Sequence, residues 1–128
     1  MSAPSSSPTR PPPPDDLLTP EQRDQLLANG RRTAAGEDID PHPTVKLHGV
    51  DFPAVWLISE LDTLEPDRGF GLADAGLGFP ELGYFSLDEI RSLRGPLGLP
   101  VVADPNFVAD RSLSSYATTA FHRRRVET

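Results

Sequence analysis

Residues 69–87, which read GFGLADAGLGFPELGYFSL, decide the fold of this chain. Apolar and small residues alternate over Gly69–Asp74, and a second strand-like run covers Leu82–Phe85. The segment between them, Ala75–Pro80, holds two glycines and a proline, which are typical of a loop. Two strands joined by a short glycine-rich loop form a hairpin by default. We therefore expect a β-hairpin at the centre of the fold.

A helix follows this hairpin directly. Ser86 and Glu89 fit the capping-box pattern, in which a serine at the helix start is followed three residues later by an acid. Gly95 and Pro96 then end the helix. The core-facing residues are expected to be Leu87, Ile90 and Leu93.

The chain before the hairpin predicts one helix and two strands. Thr19, Pro20 and Gln22 form a helix start, and either Gly30 or the later Gly36 ends the helix. Two strand-like runs follow, Thr44–His48 and Ala54–Leu61. The second run is apolar until Ser59 and contains Trp56, so we expect a central strand that is buried on much of both faces.

The chain after the hairpin predicts a short strand over Leu99–Ala103 and a last helix from about Ser112. The apolar stripe of this helix is Leu113, Tyr116, Ala117, Ala120 and Phe121. The element order is therefore α-β-β-β-β-α-β-α. Consecutive strands without intervening helices predict one small α+β domain, with an antiparallel sheet of four to five strands and the helices on one face.

Three regions are expected along the chain. Residues 1–16, MSAPSSSPTRPPPPDD, are rich in proline and serine and carry almost nothing to bury, so they predict a disordered tail. Residues 17–122 form the α+β domain, and residues 123–128 form a frayed C-terminal tail.

Composition excludes several classes of function. The chain has no cysteine, which excludes disulfides and thiolate chemistry. Neither a secretory signal nor an apolar run long enough to span a bilayer is evident, so we expect a cytoplasmic protein with no membrane partner. Residues 37–110 carry fourteen acids and four bases, a net charge of −10. Such an acidic body argues against direct binding to nucleic acid, and three arginines at 123–125 are too few to offset it.

Two motifs resemble a known family of small bacterial proteins. They are GFPELGYFSL at residues 78–87 and RGPLGLP at residues 94–100. The resemblance extends from about Leu17 to Ala120. The family is catalogued as a domain of unknown function and is often met on plasmids and other mobile elements. The resemblance therefore implies a bacterial, cytoplasmic and mobile-element setting, and no activity.

No catalytic motif is present. The glycines of residues 69–78 lead into Pro80 and a strand, whereas phosphate-binding loops open a helix or end in a lysine. No nucleophile elbow occurs, and His42, His48 and His122 lack the spacing of a zinc site. We therefore assign no catalytic residue, metal site or cofactor, and we lean away from an enzyme.

Six residues remain as binding candidates. Glu60, Asp62, Asp74 and Glu81 are the carboxylates nearest the predicted sheet, and paired carboxylates bind divalent ions or act as acids and bases. Phe79 precedes Pro80 in the loop, where it either packs across the base of the hairpin or is exposed. An exposed aromatic residue beside acids would suit a protein interface. Tyr84 and Phe85 point to opposite faces of their strand, and tyrosine is the one that better tolerates exposure.

Three functions stay open. The leading hypothesis is a non-enzymatic accessory protein that binds a protein partner, based on the acidic body and the loop with Phe79 and Glu81. The second is an acidic mimic of nucleic acid that inhibits a defence or DNA-processing enzyme. The third is an enzyme dependent on a divalent metal, which requires the four carboxylates to cluster. The oligomeric state is not predicted.

Overall fold

The computed structural model describes residues 17–128, so the predicted disordered tail of residues 1–16 lies outside the described residues. The helices are α1 (Pro20–Ala34), α2 (Leu87–Ser92) and α3 (Leu113–Arg123). The strands are β1 (Val45–Gly49), β2 (Val55–Leu61), β3 (Arg68–Asp74), β4 (Glu81–Ser86) and β5 (Val101–Ala103). In the part of the chain that the structure covers, none of the helices has the length and apolar character needed to cross a bilayer.

The five strands form one antiparallel sheet in the order β4-β3-β2-β1-β5. The predicted hairpin is present as β3 and β4, with Gly71 opposite Gly83. β2 is the middle strand. The predicted α+β class and element order are therefore confirmed, with predicted strand bounds within two residues of those observed.

Helices cover both faces of the sheet, which corrects the expectation that they share one face. The first face packs against α1 and α2 through residues that include Leu47, Trp56 and Ile58. The second face packs against α3 through Leu57 and Leu72. Adjacent residues of a strand point to opposite faces, so a β2 that is apolar at both Leu57 and Ile58 requires a cover on each side.

The helix starts follow the predicted caps, with one difference. Thr19 and Gln22 form the reciprocal capping box at α1. At α2 the Ser86 hydroxyl accepts the N–H of Glu89 as predicted. The reciprocal bond from Ser86 N–H to the Glu89 side chain, which a full capping box requires, is not formed. Instead Asp67, in the loop before β3, accepts the hydroxyl of Ser86 and the N–H of Asp88. A tertiary contact thus supports the start of α2.

Two residues predicted to face the core are partly exposed. Leu93 lies at the C-cap of α2 and is 39% exposed, because the helix ends at Ser92. Phe121 is 50% exposed, although the other four residues of its stripe are buried. The stripe is therefore narrower than the sequence periodicity indicates.

Gly30 is where α1 comes closest to the sheet. The helix continues past this residue to Ala34, so Gly30 does not end it. A Cβ built on Gly30 would lie 1.8 Å from the carbonyl oxygen of Leu61, well inside van der Waals contact. One residue earlier, Asn29 is buried and donates its amide N–H to the carbonyl of Ser59 at 2.9 Å. α1 therefore rests directly on the backbone of β2.

We predict that Gly30→Ala destabilises the protein, although alanine favours helices over glycine. The added methyl forces α1 away from β2, and overpacking of this kind costs about 1–3 kcal/mol. Urea denaturation measures the free energy of unfolding. The control is Arg31→Ala on the exposed side of the same helix, which should change stability by less than about 0.5 kcal/mol. A gain of up to about 1 kcal/mol, as helix propensity alone gives, would contradict the close contact.

We also predict that Asp40 makes the stability of the fold depend on pH. Its carboxylate accepts the N–H of Ser114 at 3.0 Å and the Ser114 hydroxyl. These hydrogen bonds, the hydroxyl's above all, lower the pKa of Asp40 below its ordinary 3.8. A lowered acid pKa stabilises the folded state above pH 3.8, and this stabilisation is lost as the pH falls through the folded pKa. The stability advantage of the natural chain over Asp40→Asn should therefore shrink from about pH 5 to about pH 2. A constant difference in urea denaturation would contradict this role for the ionised carboxylate.

Candidate functional site

Asp74 lies at the end of β3 and is 5% exposed. One carboxylate oxygen accepts the N–H of Gly76 at 2.7 Å, and the other accepts the N–H of Val126 at 2.9 Å. Val126 also packs against the core beneath α3. Asp74 therefore joins the loop after β3 to Val126, one residue of the segment 123–128 that the sequence predicts to be a frayed tail.

Glu60, Asp62 and Tyr84 come together at the opposite end of the sheet. They line one cavity of about 370 Å³ beside the end of α1. The Glu60 carboxylate accepts the hydroxyl of Thr33 at 3.0 Å. The Asp62 carboxylate accepts the N–H of Leu64 at 2.8 Å and that of Glu65 at 3.3 Å. Both acids are thus engaged by neighbouring residues.

The four candidate carboxylates do not cluster. Glu60 and Asp62 share the cavity at the end of α1, whereas Asp74 and Glu81 line two other cavities. Within residues 17–128, no group of three or more His, Asp or Glu side chains is arranged to hold a metal ion. The geometry that the metal-dependent hypothesis requires is absent from this part of the chain.

Tyr84 stands on the second face of edge strand β4 and is 54% exposed, while Phe85 packs against the core on the first face. The guanidinium of Arg68 lies 4.0 Å from the centroid of the Tyr84 ring. Phe70 meets the same ring edge-on, with centroids 5.0 Å apart. The predicted division between Tyr84 and Phe85 is confirmed, and the tyrosine ring is held in place by its two neighbours.

Phe79 is exposed at the tip of the hairpin loop. Of the two placements that the sequence left open, the structure therefore shows exposure and not packing across the hairpin base. We use the term loop patch for Leu77, Phe79 and Phe121, which are 75%, 71% and 50% exposed. Phe79 and Phe121 line a shallow cavity of about 560 Å³, with Glu81 and Arg124 at its rim. The sequence singled out Phe79 and Glu81 but placed Phe121 in the core.

A further cavity was not anticipated from the sequence. It has a volume of about 670 Å³ and lies where β1, β2 and the C-terminal residues meet. Its charged and ionisable lining residues are Lys46, His48, Asp74, Asp104, Arg124 and Arg125. Lys46 donates to the hydroxyl of Thr128 at 2.8 Å, and Arg125 pairs with Glu127 at 3.0 Å. Charges of both signs line this space, so it selects neither an anion nor a cation.

A second exposed apolar group surrounds the loop of residues 94–100. Asp51 accepts the N–H of Leu97 at 2.5 Å, and a Cβ on Gly95 would lie 1.8 Å from the other oxygen of Asp51. A larger residue at position 95 would therefore require the Asp51 side chain to move. The exposed aliphatic side chains around this loop are Val50, Leu93, Leu97 and Leu99. The sequence marked this segment as a motif, without any signal that its leucines face solvent.

Many of the acids serve the fold. Six aspartates accept hydrogen bonds from backbone N–H groups, namely Asp40, Asp51, Asp62, Asp67, Asp74 and Asp104. Elsewhere, hydrogen bonds from Arg111 and then from the Tyr116 hydroxyl lower the pKa of Asp110, and burial raises the pKa of Tyr116. The high acid content therefore reflects turns and helix starts in large part.

Comparison with known proteins gives one match. A family model described as "Protein of unknown function (DUF2958)" matches residues 17–127. No curated protein matches the chain, and no solved structure matches it.

We predict that Asp74→Ala destabilises the fold, because it leaves the N–H groups of Gly76 and Val126 without their acceptor. The expected loss is about 1–3 kcal/mol in urea denaturation. The amide of Val126 should also exchange its hydrogen faster. Glu81→Ala is the matched control, because this acid is exposed, and it should change stability by less than about 0.5 kcal/mol. Equal stabilities of the two variants would show that Asp74 does not hold the C-terminal residues.

Proposed function

This chain belongs to the DUF2958 family of proteins of unknown function, and we propose that it is a non-enzymatic accessory protein that binds a protein partner. The proposed setting is the cytoplasm of a bacterium that carries a plasmid or another mobile element. This setting rests on the resemblance of the motifs at residues 78–87 and 94–100.

The loop patch carries the proposal. It places two aromatic rings and a leucine in solvent on neighbouring elements. Exposed aromatic residues beside a shallow depression are typical of the centre of a protein interface. Glu81 and Arg124 supply the polar rim that such interfaces have.

Contacts with neighbouring segments support the loop that presents Phe79. Asp74 bonds to Gly76, and a Cβ on Gly76 would lie 2.5 Å from the ring of Pro53. Gly76 and Gly78 both have positive φ, at 80° and 89°, a conformation that other residues rarely adopt. A preformed loop loses little conformational entropy on binding, which favours affinity.

The alternative functions have less support. A metal-dependent enzyme needs clustered carboxylates, and those of residues 17–128 lie apart. A mimic of nucleic acid needs acids that are free and spaced along one surface. Six aspartates accept backbone N–H groups at separate turns and helix starts, so this part of the acidic content has a structural role.

We predict that Phe79→Ala weakens partner binding at least tenfold, because a truncated central aromatic typically costs 2 kcal/mol or more of binding energy, at about 1.4 kcal/mol per factor of ten. The measurement is affinity capture from the native host, followed by titration of the captured protein. Folding stability should change by less than about 0.5 kcal/mol, because the side chain is exposed.

Val108→Ala is the matched control, because it removes an apolar side chain that is 86% exposed outside the loop patch. It should retain the partner at natural affinity. Capture of no specific partner by the natural chain, or equal capture by both variants, would overturn the proposal.

A further inference from the structure

Strand β4 has a free edge. It pairs with β3 on one side, and no strand among residues 17–128 pairs with the other. An exposed strand edge presents unpaired N–H and C=O groups, which are a template for another strand. β4 contains no proline and one charged residue, Glu81. The features that normally protect an edge are therefore sparse.

The register of the hairpin identifies which backbone groups of β4 are free. The N–H of Leu87 donates to the carbonyl of Asp67 at 2.9 Å, one step beyond the Arg68–Ser86 pair. Bonded and non-bonded pairs alternate in an antiparallel ladder. Glu81, Gly83 and Phe85 therefore bond to β3, whereas Leu82 and Tyr84 direct their N–H and C=O groups to the open edge.

We propose that a second copy of this chain pairs with that edge, β4 against β4, about a two-fold axis at Gly83. In this register Leu82 of each copy lies opposite Tyr84 of the other. The outward groups of these two residues then satisfy one another through four N–H···O=C bonds. Pro80 has no N–H and falls opposite Ser86 of the second copy, so the ladder ends there.

The side chains favour this register. On the second face, four side chains form one row across the axis. They are Phe70 and Tyr84 of one copy, followed by Leu82 and Leu72 of the other. This extends the apolar layer across the axis and covers the exposed surfaces of Leu82 and Tyr84. Cross-strand pairs of an aromatic and an aliphatic residue stabilise sheets.

The axis and the charges also suit a second copy. Gly83 meets Gly83 as a non-bonded pair, in which the two Cα atoms approach to about 4.5 Å. Space around the Cβ position of this glycine is open to at least 4 Å. Glu81 falls opposite Phe85 rather than opposite its own copy, so the only charge on the strand is not set against a like charge.

The net charge predicts how the dimer responds to salt. Each copy carries −7, so the two copies repel each other and salt screens this repulsion. Sedimentation velocity of the full chain should therefore detect a dimer whose fraction rises from low to high salt. Association through ion pairs would show the opposite dependence.

The decisive test is Gly83→Cys, since the chain has no cysteine of its own. At the proposed axis the two Cα atoms of position 83 lie about 4.5 Å apart. This distance is within the range of about 4.4–6.8 Å between Cα atoms that a disulfide requires. Mild oxidation should then produce covalent dimers at least tenfold faster than in Val108→Cys, whose position is 86% exposed and reports random collision. Equal rates would overturn the proposal.

Leu82→Lys and Leu82→Pro test the interface in the otherwise natural chain. The lysine places a charge within the apolar layer, and the proline removes an N–H that β3 does not use. Both variants should be monomeric in sedimentation under conditions in which the natural chain dimerises, with melting temperature followed to check the fold. A natural chain that stays monomeric at high salt, or a folded Leu82→Lys variant that still dimerises, would show that the edge does not bind a second copy.

Discussion

Both faces of strand β2 have to be shielded from water, and the packing of the other elements follows from this. Leu57 and Ile58 are adjacent, point to opposite sides and are fully buried. β1 and β3 cover the edges of β2, α1 lies on one face and α3 covers the other. The buried polar groups beside this strand are paired, because Asn29 donates to the carbonyl of Ser59 and the Ser59 hydroxyl donates to that of Phe70. Burial of β2 therefore leaves few polar groups unsatisfied.

Aspartate carboxylates hold together parts of the chain that lie far apart in sequence. Asp74 binds the backbone at Val126, Asp40 binds the start of α3, and Asp67 completes the start of α2. Each carboxylate accepts a backbone N–H that would otherwise lack a partner near its element's end. An acidic composition in this protein is thus partly a means of fixing helix starts and loops, rather than a separate functional surface.

One of the apolar regions that these contacts leave uncovered lies at the hairpin. Strand β4 is the outer strand, its second face carries Leu82 and Tyr84, and its preceding loop exposes Phe79. α3 covers the middle of the second face and ends with Phe121 in solvent. On the second face a sheet of five strands is covered by one helix, α3, and the sheet is wider than this helix. The loop patch and the free edge of β4 both lie at the side of the sheet that α3 does not cover.

Periodicity, caps and turn residues are local signals, so they were enough to predict the class, the order of the elements, the hairpin and the burial of Trp56. Strand alternation also anticipated that Tyr84 is more exposed than Phe85. For Phe79 the sequence left packing across the hairpin base and exposure open, and the structure shows exposure. Only the tertiary structure decided that α3 covers the second face, that Asp74 holds Val126, and that Glu60 and Asp62 lie apart from Asp74 and Glu81. These outcomes depend on which distant segments come into contact. Neither the spacing of residues nor the composition predicts on which face of the sheet a later helix packs.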